Sequence, residues 1–420
     1  MQLKRVVVTG LGAVTPLGND FGTFWSALVA GQSGANLISQ FDTTHFKTKF
    51  ACEVKNFDPT AFGIDKKETN RLDLVSQYGI AAAMQAVADS NLDNTSLDKD
   101  RIGVIWSSGI GGLKTFEQEI SAYATGNGIP RFSPFFIPKM IADITCGHIS
   151  MRFGFRGPNF APVAACASST IALIDAFNYI RLGKCNAFIA GGSEAAISPG
   201  GIGGFNAMKA LSERNDDFST ASRPFDLTRD GFVMGDGGVA VILEEYEHAI
   251  KRGAKIYAEM VGGGLSADAY HLTAPHPEGL GAMNVMKYAL EDANMDPSEI
   301  DYINVHGTST PLGDVAELKA LKGLFGDNAY KLNISSTKSM TGHLLGAAGA
   351  LEAAACIMAV KEDIIPPTIN HTTPDPNIDP KLNLTLNKAQ KRTVRAALSN
   401  TFGFGGHNAS VIFKKFTESN

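Results

Sequence analysis

Short apolar runs of strand length alternate with segments of helical periodicity along almost the whole chain. The apolar runs are nearly continuous, which is typical of strands that are buried on both faces of a sheet. They occupy residues 5–12, 101–107, 185–190, 239–244, 256–261, 301–306, 333–336 and 410–413, with a further strand near residue 396. Helical patterns cover residues 21–30, 66–90, 281–294 and 343–360, and another helix starts at residue 314. This alternation predicts βαβ units in an α/β fold with buried, mostly parallel sheets.

The order of elements begins again at residue 256, after the acidic segment 244–252. The strand over residues 5–12 is predicted to end in glycines, and the strand over 256–261 is predicted to end in Gly262 in the same way. We therefore expect an internal duplication, with a first half over residues 1–250 and a second half over 251–420. Two such halves predict a five-layer αβαβα arrangement with two mixed, mostly parallel sheets.

Composition excludes several classes of protein. The chain has 420 residues and a net charge of −5, which argues against general nucleic-acid binding. No stretch approaches the length of a transmembrane helix, and the N-terminal apolar run is too short for a signal peptide, so we expect a cytoplasmic protein without membrane insertion. The five cysteines are scattered, which argues against a disulfide framework or a zinc site. Thr15 occupies the third glycine position of G-x-G-x-x-G, which argues against a dinucleotide site.

Cys166 follows an apolar run and precedes a helical pattern, so the sequence places it at the start of a helix. The free N–H groups and partial positive charge of a helix N-terminus favour a thiolate. We therefore expect a lowered pKa and a nucleophilic cysteine. The alternative is a small buried apolar residue, as many free cysteines are.

Three later stretches carry further candidate chemistry. His306 ends a predicted strand, and His343 starts a predicted helix with Lys338 in the loop before it. Phe404 lies in a loop rich in glycine, residues 402–408. Taken singly, each histidine could be a satisfied structural group and Phe404 could be part of the core.

Together these stretches resemble one family. The motifs are Val305-His-Gly-Thr-Ser-Thr, Thr337-Lys-Ser-Met-Thr-Gly-His and Gly403-Phe-Gly-Gly. In combination they are similar to the β-ketoacyl-acyl-carrier-protein synthases, the condensing enzymes of the thiolase fold. The resemblance runs nearly end to end, and residues 108–113 and 223–231 look like the type II elongating branch.

The resemblance implies a Cys-His-His site made of Cys166, His306 and His343. The cysteine would be acylated by an acyl thioester, with an oxyanion hole formed by the backbone N–H groups of Cys166 and Phe404. Decarboxylation of a malonyl thioester would then place enolate charge near two neutral imidazoles. The resulting carbanion would attack the acyl-cysteine, and no cofactor is required.

The resemblance also implies supporting roles. Lys338 would act electrostatically on the histidines, and Glu352 and Asp314 would stand behind the reacting groups. The other implied positions are Thr308 and Thr310 for the pantetheine arm, Phe404 as a gate with Gly403, Gly405 and Gly406 as hinges, Ile110 and Phe205 for the acyl tunnel, and Asn304, Glu352 and Ser399 near a monovalent cation. Ala164 and His407 depart from the family pattern, which frequently has Ser or Thr at the first position and Thr at the second.

The implied partners are acyl carrier protein and a second copy of the chain, with residues 132–138 reaching across a homodimer. Carrier proteins are acidic, so docking onto this mildly acidic chain needs a local basic patch, for which we name Lys66, Arg71 and Lys209. Three other functions stay open: a ketosynthase of a polyketide or specialised pathway, a non-catalytic partner subunit, and an acyl hydrolase.

Overall fold

The computed structural model describes residues 3–93 and 96–417, so the outermost residues of both predicted halves lie outside the described part. The strands are β1 (Val6–Val14), β2 (Asn36–Leu37), β3 (Phe50–Ala51), β4 (Ile102–Ser107), β5 (Asn159–Phe160), β6 (Ala187–Glu194), β7 (Gly237–Glu245), β8 (Ala258–Ala267), β9 (Tyr302–Asn304), β10 (Asn333–Ser335), β11 (Ile364–Ile365), β12 (Gln390–Lys391), β13 (Ala396–Gly403) and β14 (His407–Lys414). The helices are α1 (Phe21–Val29), α2 (Lys66–Thr69), α3 (Leu74–Ser90), α4 (Leu113–Thr125), α5 (Phe136–Met140), α6 (Ile144–Phe153), α7 (Ser168–Arg181), α8 (Pro199–Ala207), α9 (Tyr246–Lys251), α10 (Leu280–Ala293), α11 (Pro311–Phe325), α12 (Lys338–Thr341) and α13 (Ala348–Glu362). Within the described ranges, no helix has both the length and the apolar character needed to cross a membrane.

Ten of these strands form one sheet in the order β10-β9-β13-β14-β8-β1-β7-β6-β4-β5. Outward from its centre, the sheet reads β1-β7-β6-β4-β5 on one side and β8-β14-β13-β9-β10 on the other. In both directions the first two pairings are antiparallel and the next two are parallel. This match in strand order and direction confirms the internal duplication.

Two details of the predicted sheets are corrected. The two five-stranded halves are not separate, because β1 and β8 pair across Val6–Val8 and Ala258–Met260 and join them into one sheet. Each half is evenly mixed rather than mostly parallel. A continuous apolar run reports burial on both faces but not strand direction. The boundary at residue 250 falls within α9 and stays a prediction.

The alternation of side chains along the strands produces five layers. In the first half, Ile189 faces α3 and α6, whereas Phe188 and Ala190 face the core that contains α7. In the second half, Leu398 faces α10 and α11, whereas Ala397 faces the same central core as α7 and α13. The two central helices are therefore enclosed between the half-sheets, which places the start of α7 deep in the molecule.

The glycines that were predicted to end strands lie inside them. β1 continues through Gly12 to Val14, and β8 continues through Gly264 to Ala267. A Cβ at Gly12 would overlap the carbonyl oxygen of Ala82 in α3, and one at Gly264 would overlap that of Val285 in α10. The glycines allow these helices to lie directly on the strands, and both halves use the same device.

Candidate active site

One cavity of about 550 Å³ is lined by Cys166 from the first half and by His306, His343 and Phe404 from the second. Its position follows from the duplication, because the central helices and the ends of the parallel strands from both halves meet there. The structure therefore brings together residues that are separated by more than a hundred positions in the sequence. The three candidate reacting groups share one enclosed space.

Cys166 lies in the short 3-10 turn Ala165–Ala167, which leads directly into α7. The preceding run is mostly not a strand, since only Asn159–Phe160 pairs with β4. Ala165 adopts a left-handed backbone with φ of +48°, which is strained for a residue with a Cβ. Gly403 packs against this turn, and a Cβ there would lie 3.1 Å from the backbone nitrogen of Cys166. The turn is thus held sharply bent, with the cysteine at its tip.

The expected lowering of the Cys166 pKa is wrong for this enclosed site. Burial raises the pKa of the thiol to about 12, although the charge of Lys338 and the backbone N–H of Phe404 act in the lowering direction. The physical reason is that a thiolate in this cavity loses more hydration than a helix N-terminus can replace. The resting group is therefore a thiol. Its Sγ lies 3.1 Å from Nε2 of His343, so this nitrogen is placed to accept the proton of the thiol.

His306 and His343 face each other with ring centroids 5.3 Å apart and ring planes nearly perpendicular. Burial lowers the pKa of both rings well below the ordinary value, and the positive charge of Lys338 lowers it further. Both imidazoles are therefore neutral. Within the described residues, Nδ1 of each ring has no hydrogen-bond partner. A neutral imidazole offers one donor and one acceptor, so each ring can stabilise a developing negative charge.

Lys338 and Glu352 form an ion pair in the interior, and each is only 1% exposed. Burial raises the pKa of Glu352 to about 7, against the opposing effect of Lys338. Neither side chain is among the described residues that line the cavity. Lys338 therefore acts on the cysteine and histidines through its electrostatic field rather than by contact with a substrate.

Glu317 is a site residue that the sequence reasoning missed. Its two carboxylate oxygens accept the backbone N–H groups of His306 and Gly307, each at 2.8 Å, and one of them also accepts from Asn400 at 3.3 Å. Burial raises the pKa of this carboxyl to about 7. A signal was present, because Glu317 stands three residues after Asp314 and so lies on the same face of α11.

Asp314 organises the loop before α11. Its carboxylate accepts the backbone N–H groups of Ser309 and Thr310, and it lies 3.3 Å from the guanidinium of Arg229. Burial raises the pKa of Asp314 to about 6, while Arg229 acts to lower it. The loop presents Thr308 and Thr310 to the cavity with their hydroxyl oxygens 3.2 Å apart. These two hydroxyls are thus held side by side along the cavity wall.

Phe404 occupies the tight turn between β13 and β14. Gly405 and Gly406 have φ of +88° and +76°, a region that suits glycine, whereas Gly403 has no positive φ and serves close packing instead. The Phe404 ring lies 6.4 Å from the ring of Phe205, centroid to centroid. Its side chain therefore lines the cavity beside the apolar side chain of Phe205.

The remaining predicted positions divide into two groups. Ile110, Phe205 and Lys209 line the cavity. Lys66 and Arg71 are exposed but are not among its lining residues, and the guanidinium of Arg71 lies 5.3 Å from the ring centroid of Phe135. The structure thus places one of the three basic candidates at the cavity.

The predicted cation ligands carry unsatisfied oxygens. Within the described chain, Oε2 of Glu352 and Oγ of Ser399 are buried without a hydrogen-bond partner. The side chain of Asn304 donates to Thr337 at 3.3 Å. Two unpartnered oxygen donors fit a hard cation, which prefers oxygen ligands.

The Cys166 thiol contacts His343, which faces a second neutral histidine, His306. Inside a duplicated five-layer fold, this arrangement is that of a condensing enzyme of the thiolase fold. The families described as "Beta-ketoacyl synthase, N-terminal domain" and "Beta-ketoacyl synthase, C-terminal domain" match residues 3–249 and 257–372. The chain belongs to the β-ketoacyl synthase family and is an acyltransferase.

Curated relatives match the chain over its full length. The 3-oxoacyl-[acyl-carrier-protein] synthase 2 of a Synechocystis strain is 48% identical over 416 residues, which cover 99% of each chain. The protein of the same name from Vibrio harveyi is 48% identical over 419 residues and 100% of each chain.

Solved structures agree. A β-ketoacyl synthase from Burkholderia phymatum superposes with a TM-score of 0.91 at 36% identity, covering 99% of this chain and 100% of that one. A type II polyketide ketosynthase that was solved with its acyl-carrier protein superposes with a TM-score of 0.90 at 32% identity. This match also covers 99% of this chain and 100% of that one.

Replacing Lys338 with Met removes a buried positive charge at similar side-chain length. Because that charge disfavours the imidazolium forms, the pKa of His306 and His343 should rise, although burial keeps it below the ordinary value. NMR titration of the imidazole C–H resonances measures this change. The acidic limb of the pH–rate profile should move to higher pH in parallel, because the rings become protonated at higher pH.

Lys338→Arg is the matched control, since it retains the charge and should leave both titrations close to those of the unsubstituted protein. Identical histidine titrations in Lys338→Met and the unsubstituted protein would show that burial alone sets these pKa values.

Proposed function

We propose that this chain is a 3-oxoacyl-[acyl-carrier-protein] synthase that lengthens acyl chains by two carbons in type II fatty acid biosynthesis. The observation that carries the proposal is the placement of the Cys166 thiol 3.1 Å from His343 in a cavity that also holds His306. The full-length identity of 48% to curated enzymes of that name supports it.

The first half-reaction forms an acyl-enzyme. The thiol of Cys166 gives its proton to Nε2 of His343 as Sγ attacks the thioester carbonyl. Backbone N–H groups of Cys166 and Phe404 stabilise the oxyanion, and the backbone N–H of Phe404 already acts to lower the pKa of Cys166 in the resting site. The carrier thiolate leaves and takes the proton from His343. The cysteine then holds the acyl group, and both histidines are neutral again.

The second half-reaction makes the carbon–carbon bond. A malonyl thioester enters and loses carbon dioxide, which leaves an enolate whose oxygen is negatively charged. Because His306 and His343 are neutral, each can donate one hydrogen bond to that oxygen. The carbanion attacks the acyl carbonyl on Cys166, and the cysteine sulfur leaves as a thiolate, which takes up one proton from water. The product is a 3-oxoacyl thioester that is two carbons longer.

Other residues support these steps without touching the reacting atoms. Lys338 lowers the pKa of both histidines beyond the effect of burial, and Glu352 balances its charge. Thr308 and Thr310 hydrogen-bond the pantetheine arm, and Phe404 moves as a gate on Gly405 and Gly406 when an acyl chain enters. A monovalent cation held by Asn304, Glu352 and Ser399 would supply further positive charge in this region.

Specific observations bear on two competing functions, a non-catalytic partner subunit and a polyketide ketosynthase. A non-catalytic partner subunit has no use for a cysteine within hydrogen-bond distance of a histidine, and here the contact is present. A polyketide ketosynthase is favoured by the fold match to the complex described above, but at 32% identity against 48% for the fatty acid enzymes. Fatty acid elongation is therefore the better-supported function.

The mass of the acylated enzyme tests the proposal. After incubation with acyl-carrier protein, peptide mass spectrometry is expected to find one acyl adduct on Cys166, because among the described residues it is the cysteine with a hydrogen-bond contact to a histidine. Cys146 is a matched control, since it is also buried but donates to the backbone oxygen of Asp143 instead of a histidine. An acyl adduct on another cysteine, or free fatty acid without an adduct on Cys166, would contradict the proposal.

The partners belong to the same proposal. The enzyme is cytoplasmic and binds acyl-carrier protein through a basic patch of Lys66, Arg71 and Lys209, of which Lys209 lies at the cavity. Replacing Lys209 with Glu should weaken carrier-protein binding at low salt and have less effect at high salt, where charges are screened. Binding that is unchanged at low salt would exclude Lys209 from the patch.

The enzyme is also proposed to form a homodimer. Exposed apolar side chains at Phe132, Phe135 and Ile137 provide a surface for a second copy, since 39%, 37% and 55% of their respective areas are accessible. Sedimentation equilibrium distinguishes this dimer from a monomer.

A further inference from the structure

Glu194 ends β6 with a fully buried side chain, and the mechanism above does not use it. Its carboxylate accepts four hydrogen bonds. Oε1 accepts from the hydroxyl of Ser108 at 2.8 Å and from the backbone N–H of Ile110 at 3.3 Å. Oε2 accepts from the backbone N–H groups of Gly109 at 2.8 Å and Gly346 at 3.0 Å. One carboxylate therefore satisfies donors from two separate loops.

These two loops form adjoining walls of the cavity. Ile110, in the loop after β4, and Leu345, in the loop before α13, both line it. The loops touch directly, because a Cβ on Gly346 would overlap the backbone nitrogen of Gly109. Leu345 also has a left-handed backbone with φ of +48°, which the surrounding contacts must hold in place. The carboxylate of Glu194 fills the junction between the two walls.

The second half of the duplication contains a similar brace with a known target. Glu317 accepts the backbone N–H groups of His306 and Gly307, which are the second and third residues after β9. Glu194 accepts the N–H groups of the second and third residues after β4, the strand that β9 matches in sheet order. In one half the braced loop presents a reacting group, and in the other it presents Ile110 to the cavity.

We propose that Glu194 is a positioning residue that sets the acyl-chain specificity of the enzyme, by fixing Ile110 and Leu345 along the cavity that contains Cys166. The proposal rests on the function proposed above, because it concerns the chain that Cys166 accepts. Glu194 contacts no reacting atom. Its negative charge also raises the pKa of the Cys166 thiol, but that effect is the same for every acyl chain, so the dependence on chain length comes from the two walls. A long acyl chain touches more of these walls than a short one, so long chains depend more on the brace.

Glu194→Gln tests the proposal at almost constant side-chain volume. The amide replaces one acceptor oxygen with an NH₂ group, so in either orientation the loop after β4 loses one backbone N–H bond to this side chain, that of Ile110 or that of Gly109. Single-turnover acylation of Cys166 by carrier proteins with graded acyl chains is followed by mass spectrometry. The ratio of long-chain to short-chain acylation rates should fall on the order of tenfold, the equivalent of losing one hydrogen bond to a charged group.

Glu317→Gln is the matched control, since it removes a charge from the equivalent brace of the other half. It should change the acylation rates for all chain lengths by the same factor, so the ratio of long-chain to short-chain rates should stay unchanged. Ile110→Ala introduced together with Glu194→Gln should give less than the product of the two single effects on the ratio, because both changes act on the same wall.

Uniform scaling of all chain lengths by Glu194→Gln, or independent effects of the two substitutions, would overturn the proposal. If Glu194→Gln does not fold, Ser108→Ala removes one of the four bonds without a misplaced donor and should lower the same ratio by a smaller factor. An unchanged ratio in that variant would also overturn it. The proposed function itself fails by a different result, the absence of an adduct on Cys166 in the unsubstituted protein.

Discussion

The ion pair between Lys338 and Glu352 is the interaction on which the charge balance of the site depends. An ammonium group that is 1% exposed needs a partner, because burying an unpaired charge costs several kcal/mol. The same charge disfavours protonation of His306 and His343, which burial already keeps neutral. A site without this pair would hold histidines that are closer to protonation, and an imidazolium is a poor acceptor for the proton of Cys166.

The duplication explains why these groups meet. Each half supplies a half-sheet, an outer helical layer and one central helix, and the cavity forms where the ends of equivalent strands converge. The first half contributes the strained turn with Cys166, and the second contributes both histidines and the Phe404 turn. Buried carboxylates fasten the loops on both sides. The nucleophile and the groups that stabilise charge are thus held on separate, rigid supports.

Much of this could be predicted from the sequence. The alternation of apolar runs and helical periods gives the fold class, and the repeat in their order gives the duplication. Cys166, His306 and His343 stand in stretches whose residue types suit acyl transfer and enolate stabilisation, and the family resemblance joined them. These features are local in sequence or are carried by motifs, so they can be recognised from the sequence alone.

Other features depend on contacts between distant residues. The direction of the Cys166 pKa shift was mispredicted because a helix N-terminus is visible in the sequence but the enclosure of the thiol is not. The sequence predicts a strand end at Gly12, because the residue that requires a glycine there, Ala82 across the helix interface, is seventy positions away. Glu194 was missed because a buried carboxylate that accepts backbone N–H groups has no local pattern. For Glu317, the spacing from Asp314 indicates a shared helix face but not the backbone N–H groups that its carboxylate accepts.

The division of labour between the halves is the central claim, and carbon dioxide release from malonyl-carrier protein tests it most directly. In a Cys166→Ala variant, condensation should be abolished while decarboxylation continues, because the histidines of the second half stabilise the enolate without the thiol. In a His306→Ala variant, decarboxylation should fall on the order of a hundredfold, as when a charge-stabilising donor is removed. Loss of decarboxylation in Cys166→Ala, together with its retention in His306→Ala, would contradict the account.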